Sequence, residues 1–326
     1  MKICIVGAGS IGGLLGARLS HAGYDISAIA RGPHLAALRE SGLRYRAPDS
    51  EITAKIPASD DPADLGPHDF VVLTLKAPSL PGLTPHLAPL CGPDTVIVTA
   101  MNGVPWWFSQ ALPAPLKGQR LHAIDPDGVL ERAFPQKSVL GCVVHAGASV
   151  PEPGVIHHAA GDHFIVGSAR GGYDPDAVAF ANAISASGLN GIATGDIHGE
   201  IWTKLIGNMG MGPISVLSGA TLADIANDPD VRPIAAALMA EAASIGDALG
   251  LPMPMSVEAR IDLGAELGNF KPSILQDLER GRPMEIDEMV TVVAEIGELM
   301  GVSTPAIDTV LALLRGRARR AGLYRN

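Results

Sequence analysis

Three glycines close to the start of the chain restrict its fold more than any other feature. The sequence opens Met-Lys-Ile-Cys-Ile-Val-Gly-Ala-Gly-Ser-Ile-Gly, so Gly7, Gly9 and Gly12 form a G-x-G-x-x-G run. Ahead of it, Lys2 to Val6 reads as a short apolar strand. Behind it, Ile11, Leu14, Leu15 and Leu19 make an apolar stripe at helical spacing, and Asp25 to Ala30 reads as a second strand. A strand, a glycine turn and a helix within about thirty residues form the frame in which such a run binds a dinucleotide. The glycines permit a tight turn, let the backbone approach a pyrophosphate and let helix and strand pack closely. The first N–H groups of the helix then face the phosphates. Gly7, Gly9, Ser10, Ile11 and Gly12 are therefore the expected cofactor contacts.

The end of the second strand identifies the dinucleotide. An NAD site usually holds an acid there to accept from the ribose hydroxyls. Here the chain reads Ala30-Arg31-Gly32, and the next acid is Glu40. A guanidinium at Arg31 can pair with a 2′-phosphate instead, which predicts NADP(H).

The alternation of strand and helix continues. Phe70 to Leu75 reads as a buried strand ending at Lys76, Leu80 to Leu90 as a proline-interrupted helix or turn, and Thr95 to Thr99 as a strand ending at Asn102-Gly103. Continuous apolar strands suit a parallel sheet covered on both faces. Ligands bind at the carboxyl ends of such strands, just where Lys76 and Asn102 lie. Both are candidates for contact with cofactor and substrate. From Gly103 to about Lys137 the pattern is less regular. It contains Trp106 and Trp107, and Ile124 to Gly128 is expected as a hairpin turn between short strands. Gly154 to Gly167 is expected as two short strands. The cluster His157, His158, Asp162 and His163 is not read as a metal site, because adjacent strand residues point to opposite faces.

From Asp196 onward the chain reads as helical, with breaks expected at Pro213, Pro229, Pro252, Pro272, Pro283 and Pro305. This shift sets an expected boundary between residues 1–195 and 196–326. In the first of these helices Lys204 and Asn208 stand four apart and share a face, as surface decoration or as a pocket wall. The bulk properties exclude other classes. A net charge of −10 and the lack of a basic run before Arg315–Arg320 argue against a nucleic-acid partner, and that run is expected as a solvated helix end. Cys4, Cys91 and Cys142 lack ligand-like spacing and read as buried thiols of a reducing, cytoplasmic compartment. No stretch approaches the roughly 20 apolar residues of a membrane span. Apolar helices near the C-terminus leave a homodimer open.

Taken in order, these residues resemble the ketopantoate reductases, or 2-dehydropantoate 2-reductases, over essentially the whole chain. The glycine run at Gly7, Gly9 and Gly12, Arg31, Leu-Thr-Leu-Lys ending at Lys76 and Asn-Gly at Asn102 match in order. So do Trp-x-Lys-Leu-x-x-Asn over Trp202, Lys204 and Asn208, Ser-Ile-Leu-Gln-Asp from Ser273, and Glu-Ile-Asp from Glu285. The resemblance implies a Rossmann domain followed by an all-helical domain, with the active site in the cleft. It implies Lys204 as the general acid of carbonyl reduction, Asn102, Asn208, Ser273 and Glu285 at the substrate, and Lys76 near nicotinamide and substrate. Three features depart from the family pattern, one being a segment from Gly103 to about Lys137 that is longer than in compact members. Gly212-Pro213 stands where a second asparagine precedes the proline, and Val-Pro-Trp-Trp-Phe comes directly after Asn102-Gly103. The reading is an NADPH-dependent reductase of 2-dehydropantoate. Alternatives are a paralogous reductase of another 2-oxo acid, carbonyl or imine substrate, and a dinucleotide sensor without turnover.

Overall fold

The computed structural model describes residues 1–134 and 138–324. Lys137, the expected end of the irregular segment, lies outside them. The chain divides into two compact units. One comprises Met1–Met101 and Gly128–Ile197, and the other comprises Asn102–Asp127 and the chain from His198 onward. Residues 102–127, expected in the first domain, belong to the helical unit.

The first unit is built on one ten-stranded sheet. Its centre is β1 (Lys2–Val6), which pairs in parallel with β2 (Asp25–Ile29) and with β6 (His68–Leu73). Next to β6 comes β7 (Cys91–Thr99), then β8 (Val139–Glu152), both parallel. The sheet then turns antiparallel with β9 (Val155–Ser168) and carries β3 (Leu43–Ala47) and β4 (Ser50–Ala54) beyond it. β5 (Ala58–Ser59) closes the opposite edge beside β2, and β10 (Asn190–Thr194) pairs with β9. The crossover α1 (Ser10–His21) buries Leu14, Leu15 and Leu19 completely, as its stripe requires. α2 (Gly32–Ser41), α3 (Leu80–Leu83), α4 (Val129–Ala133) and α5 (Pro175–Ala186) complete the unit.

Two expectations fail here. Gly154–Gly167 is not two strands but most of β9, a single strand of 14 residues. Its register with β8 shifts near His145 and Gly147, and Gly161 (φ 72°) lets the strand absorb the irregularity without ending. Ile124–Gly128 is not a hairpin turn. Gly128 is left-handed (φ 66°) and leads into α4. The histidines of β9 have local partners: Tyr45 Oη meets His158 Nδ1 at 2.7 Å, and His163 meets Asp162 at 2.8 Å. Cys4 and Cys142 are buried, Cys91 is half-buried and all three are free thiols. Burial pushes Cys4 up to about 11.

The second unit consists of α6 (Ile197–Ser218), α7 (Leu222–Asn227), α8 (Arg232–Leu249), α9 (Val257–Glu266), α10 (Ser273–Glu279), α11 (Val292–Met300) and α12 (Pro305–Arg320). A π-helical turn, Asp287–Thr291, leads into α11. Pro213 does not stop α6 but sits inside it. An interior proline costs about 3 kcal/mol, and here Met211, Ile214 and Val216 around it are buried. Burying such side chains returns roughly 1.5–3 kcal/mol each, enough to outweigh the break. Three glycines of α6 each admit a side chain from another helix: Gly207 faces Arg260 of α9, Gly210 faces Met239 of α8, and Gly212 faces Ile274 of α10. The carboxylate of Glu241 in α8 accepts from the N–H groups of Ala306 and Ile307 at 2.8 and 2.9 Å, satisfying the start of α12.

In the terminal basic run Arg317, Arg319 and Arg320 are exposed in the last turn of α12, as a solvated helix end expects, and Arg315 departs from it. Arg315 donates to Thr291 Oγ1 at 2.9 Å and lies 3.8 Å from Asp287, while Tyr324 also donates to Asp287. It ties α12 to the π-helical turn because its position in the run faces that turn rather than solvent. Among the described residues, no helix is long and apolar enough to cross a membrane.

Candidate functional site

The glycine run forms a cradle at the end of β1. Gly7 has φ 99°, where a side chain is strained, and a Cβ there would lie 2.6 Å from Leu75 Cδ2. Gly12 packs so tightly that a Cβ would strike the Gly7 carbonyl and Thr74 Oγ1. Thr74 in turn donates to that carbonyl at 2.7 Å and fixes the turn. Gly9 differs from both, since a Cβ would meet nothing within 4 Å. Gly9 is also the N-cap of α1, with no side chain bonded there. Ser10, Ile11 and Gly12 thus open the helix with N–H groups that no capping side chain occupies. Open space beside uncapped amides at a helix start fits a pyrophosphate.

Arg31 comes just after β2 and is the N-cap residue of α2, exposed and in extended conformation. Among the described residues its guanidinium has no acidic partner, as a phosphate-reading arginine requires. His34, in the first turn of α2, accepts from the Gly154 N–H at Nδ1 (3.1 Å), and burial lowers its pKa below the ordinary histidine value. Lys76 is half-buried and stands at the head of a short turn, three residues past the end of β6.

In the helical unit Lys204 and Asn208 stand on α6, and Asn102 bonds to Lys204. Along the exposed side of α6, Glu200, Thr203, Lys204 and Asn208 are half-buried, while Ile201, Trp202, Leu205 and Ile206 are buried. The Lys204–Asn208 face is therefore neither free surface nor core. Lys204 Nζ donates to Asn102 Oδ1 at 2.9 Å. The two residues after Asn102 fix its backbone: Val104 N–H donates to the Glu288 carbonyl at 2.9 Å, and Gly103 (φ 80°) sits where a Cβ would overlap Glu288. Glu285 is buried in the irregular stretch after Pro283, two residues before the π-helical turn. Ser273 is exposed and is the first residue of α10. Pro272, not Ser273, holds the cap position. The next residue, Ile274, places Cγ2 3.1 Å from where a Gly212 Cβ would stand. A side chain at Gly212 would therefore meet Ile274 in tight contact.

The Trp-Trp insertion is an anchor. Trp106 and Trp107 are buried. Trp107 meets His198 edge-on at 5.4 Å, and Phe108 stacks on Trp202 at 5.9 Å. Trp202 Nε1 donates to the Ala242 carbonyl at 3.1 Å. Glu295 of α11 accepts from the N–H groups of His122 and Ala123 at 2.6 and 2.9 Å and pins the far end of the segment. Sequence reasoning missed Glu288, His198 and Glu295. Only Glu288 had a local signal, its spacing of three from Glu285. The others act through distant backbone or ring contacts that leave no periodicity.

Known proteins resemble this chain over its whole length. The family model described as "Ketopantoate reductase PanE/ApbA" matches residues 3–171, and its C-terminal counterpart matches residues 196–318. A 2-dehydropantoate 2-reductase of Mesorhizobium japonicum is 44% identical over 325 residues, 99% of this chain and 100% of that protein. The solved structure of a ketopantoate reductase candidate from Ralstonia solanacearum MolK2 superposes with a TM-score of 0.93 at 46% identity, covering 99% of both chains. That of a 2-dehydropantoate 2-reductase from Methylococcus capsulatus gives 0.85 at 26% identity, covering 98% of both. With both units matched and a relative of this identity over its full length, the chain belongs to the ketopantoate reductase family.

Proposed function

We propose that this protein reduces 2-dehydropantoate to (R)-pantoate with NADPH. The observation that carries the reading is the Lys204–Asn102 pair on the half-buried stripe of α6. The glycine cradle and Arg31 suit NADPH, which when bound supplies the hydride to the keto carbon. As the carbonyl oxygen gains negative charge, the Lys204 ammonium stabilises it and passes one proton from Nζ to that oxygen, leaving a hydroxyl. The neutral amine then regains a proton from solvent. Asn102 restrains Nζ beforehand, so little side-chain freedom is lost in the reaction itself. Asn208, one turn along, orients the substrate without adding charge. Ser273 contacts the substrate near its carboxylate, the Glu285 carboxylate accepts from its distal hydroxyl, and Lys76 serves the nicotinamide end.

The test is NADPH consumption across a panel of 2-oxo acids, with the chirality of the product determined. The expected result is the highest kcat/KM with 2-dehydropantoate and an (R) product. One observation favours a second reading, a reductase of a different 2-oxo acid. Ile274 fills the space at Gly212, giving an apolar wall where the family pattern has an asparagine. A clear preference in the panel for an acid with an apolar side chain would carry that reading.

A further inference from the structure

Arg260 lies in α9, and its guanidinium covers Gly207 of α6. A Cβ at Gly207 would fall onto Nη2 and Cζ and lie 2.5 Å from Nε. Gly207 is three residues after Lys204 and one before Asn208, so the three share one face of the helix. One turn further along both helices, Gly264 of α9 packs on Met211 of α6, with Sδ 2.7 Å from the Cβ position. α9 therefore lies along the same stripe that presents Lys204, and Arg260 is a charge it brings there.

Among the described residues nothing uses that charge: no carboxylate pairs with Arg260 and no acceptor meets its side-chain N–H groups. Burial alone shifts it, drawing it below the ordinary arginine value. A guanidinium holds five donors in a planar fork that matches a carboxylate in two parallel hydrogen bonds. Keeping the fork half-buried without an acceptor carries a desolvation cost. An anion on the stripe removes that cost. In a 2-oxo acid the carboxylate is bonded directly to the keto carbon, so a group holding the carboxylate sets the keto oxygen close by.

We propose that Arg260, its guanidinium seated over Gly207, binds the substrate's carboxylate about one helical turn from the proton donor Lys204. This rests on the 2-oxo acid reductase reading. Arg260 provides the charge, and Ser273 provides a neutral contact.

The experiment compares wild type, Arg260→Gln, Arg260→Lys and Gly207→Ala on 2-dehydropantoate and on its carboxamide, which keeps the ketone and lacks the charge. Gly207→Ala displaces the guanidinium while placing a good helix former in α6, so it covers the case in which Arg260→Gln does not fold. For the acid, Arg260→Gln and Gly207→Ala should raise KM roughly 10- to 100-fold, as loss of a charged hydrogen bond does, with a far smaller change in kcat. Arg260→Lys should recover part of the loss. For the carboxamide, whose oxygen makes only an uncharged contact, the losses should be far smaller. Equal effects on acid and carboxamide, or an unchanged KM for the acid in both variants, overturn the role of Arg260 and leave the reductase reading standing. A wild type that reduces no 2-oxo acid with NADPH overturns that reading, and this proposal with it.

Discussion

Lys204 and Asn102 are separated by 102 residues of chain, yet their side chains meet in one hydrogen bond of 2.9 Å. The donor comes from the exposed edge of a 22-residue helix, and the acceptor comes from the turn after β7. The amide holds the ammonium in one place without neutralising it, which suits a group that must meet a growing negative charge.

Replacing Lys204 by Ala should therefore lower kcat roughly 10²- to 10⁴-fold, the usual contribution of general acid catalysis. NADPH affinity, measured by fluorescence titration, should change little, because the glycine cradle and Arg31 belong to the other unit. A folded Lys204→Ala enzyme with near-normal kcat removes the assignment.

Arg31 is exposed and has no acidic partner among the described residues. Arg31→Ala should weaken NADPH binding roughly 10- to 100-fold, the worth of a charged phosphate contact. NADH binding should be nearly unchanged. Equal losses for both cofactors would mean that Arg31 does not read the 2′-phosphate.

Trp107 is fully buried against His198 within the helical unit. Trp107→Ala should cost about 3–5 kcal/mol of stability, as large aromatic truncations in a core do. Thermal unfolding reads this directly. The relative kcat/KM values across a panel of 2-oxo acids should stay the same, and a shifted substrate preference would mean that the tryptophan shapes the substrate pocket.

His34 and His68 are held neutral in the folded chain, each lowered chiefly by burial below the ordinary value of 6.5. The unfolded chain takes up protons near that pH that the folded chain refuses. Stability is thus fully present above about 6.5 and falls as the pH drops below it. Unfolding midpoints measured from neutral to mildly acid pH should decline, and His68→Gln should flatten the decline. A midpoint independent of pH over that range would contradict the assignment.

The parts of this molecule that could be read from sequence are local ones. The cradle was legible because strand, glycine turn and helix succeed one another without interruption. The Lys204–Asn208 face was legible because helical geometry fixes what stands four residues away. Asn102 was legible as a ligand contact from its place past a strand end and from the resemblance, but its bond to Lys204, 102 residues away, carried no local mark. Pro213 misled because the break it favours is outweighed by burial around it, which the local sequence does not state. Arg315 misled because a basic run looks solvated until Asp287 and Thr291 are known to face it. Arg260 was invisible, since its only cue is a glycine in another helix 53 residues earlier.

The excursion of residues 102–127 also bears on how such a chain can be inherited. Trp107 and Phe108, lodged against His198 and Trp202, are encoded in the middle of the nucleotide-binding half. A gene segment beginning near codon 196 would leave behind the aromatic plug of its own core, the residue that restrains Lys204, and the backbone that Glu295 secures. The helical module cannot be shuffled onto another protein as a single exon-like block. It needs residues 102–127 with it, and recombination between relatives should succeed with crossovers at residues 101, 127 and 197 together more readily than with one at residue 197 alone.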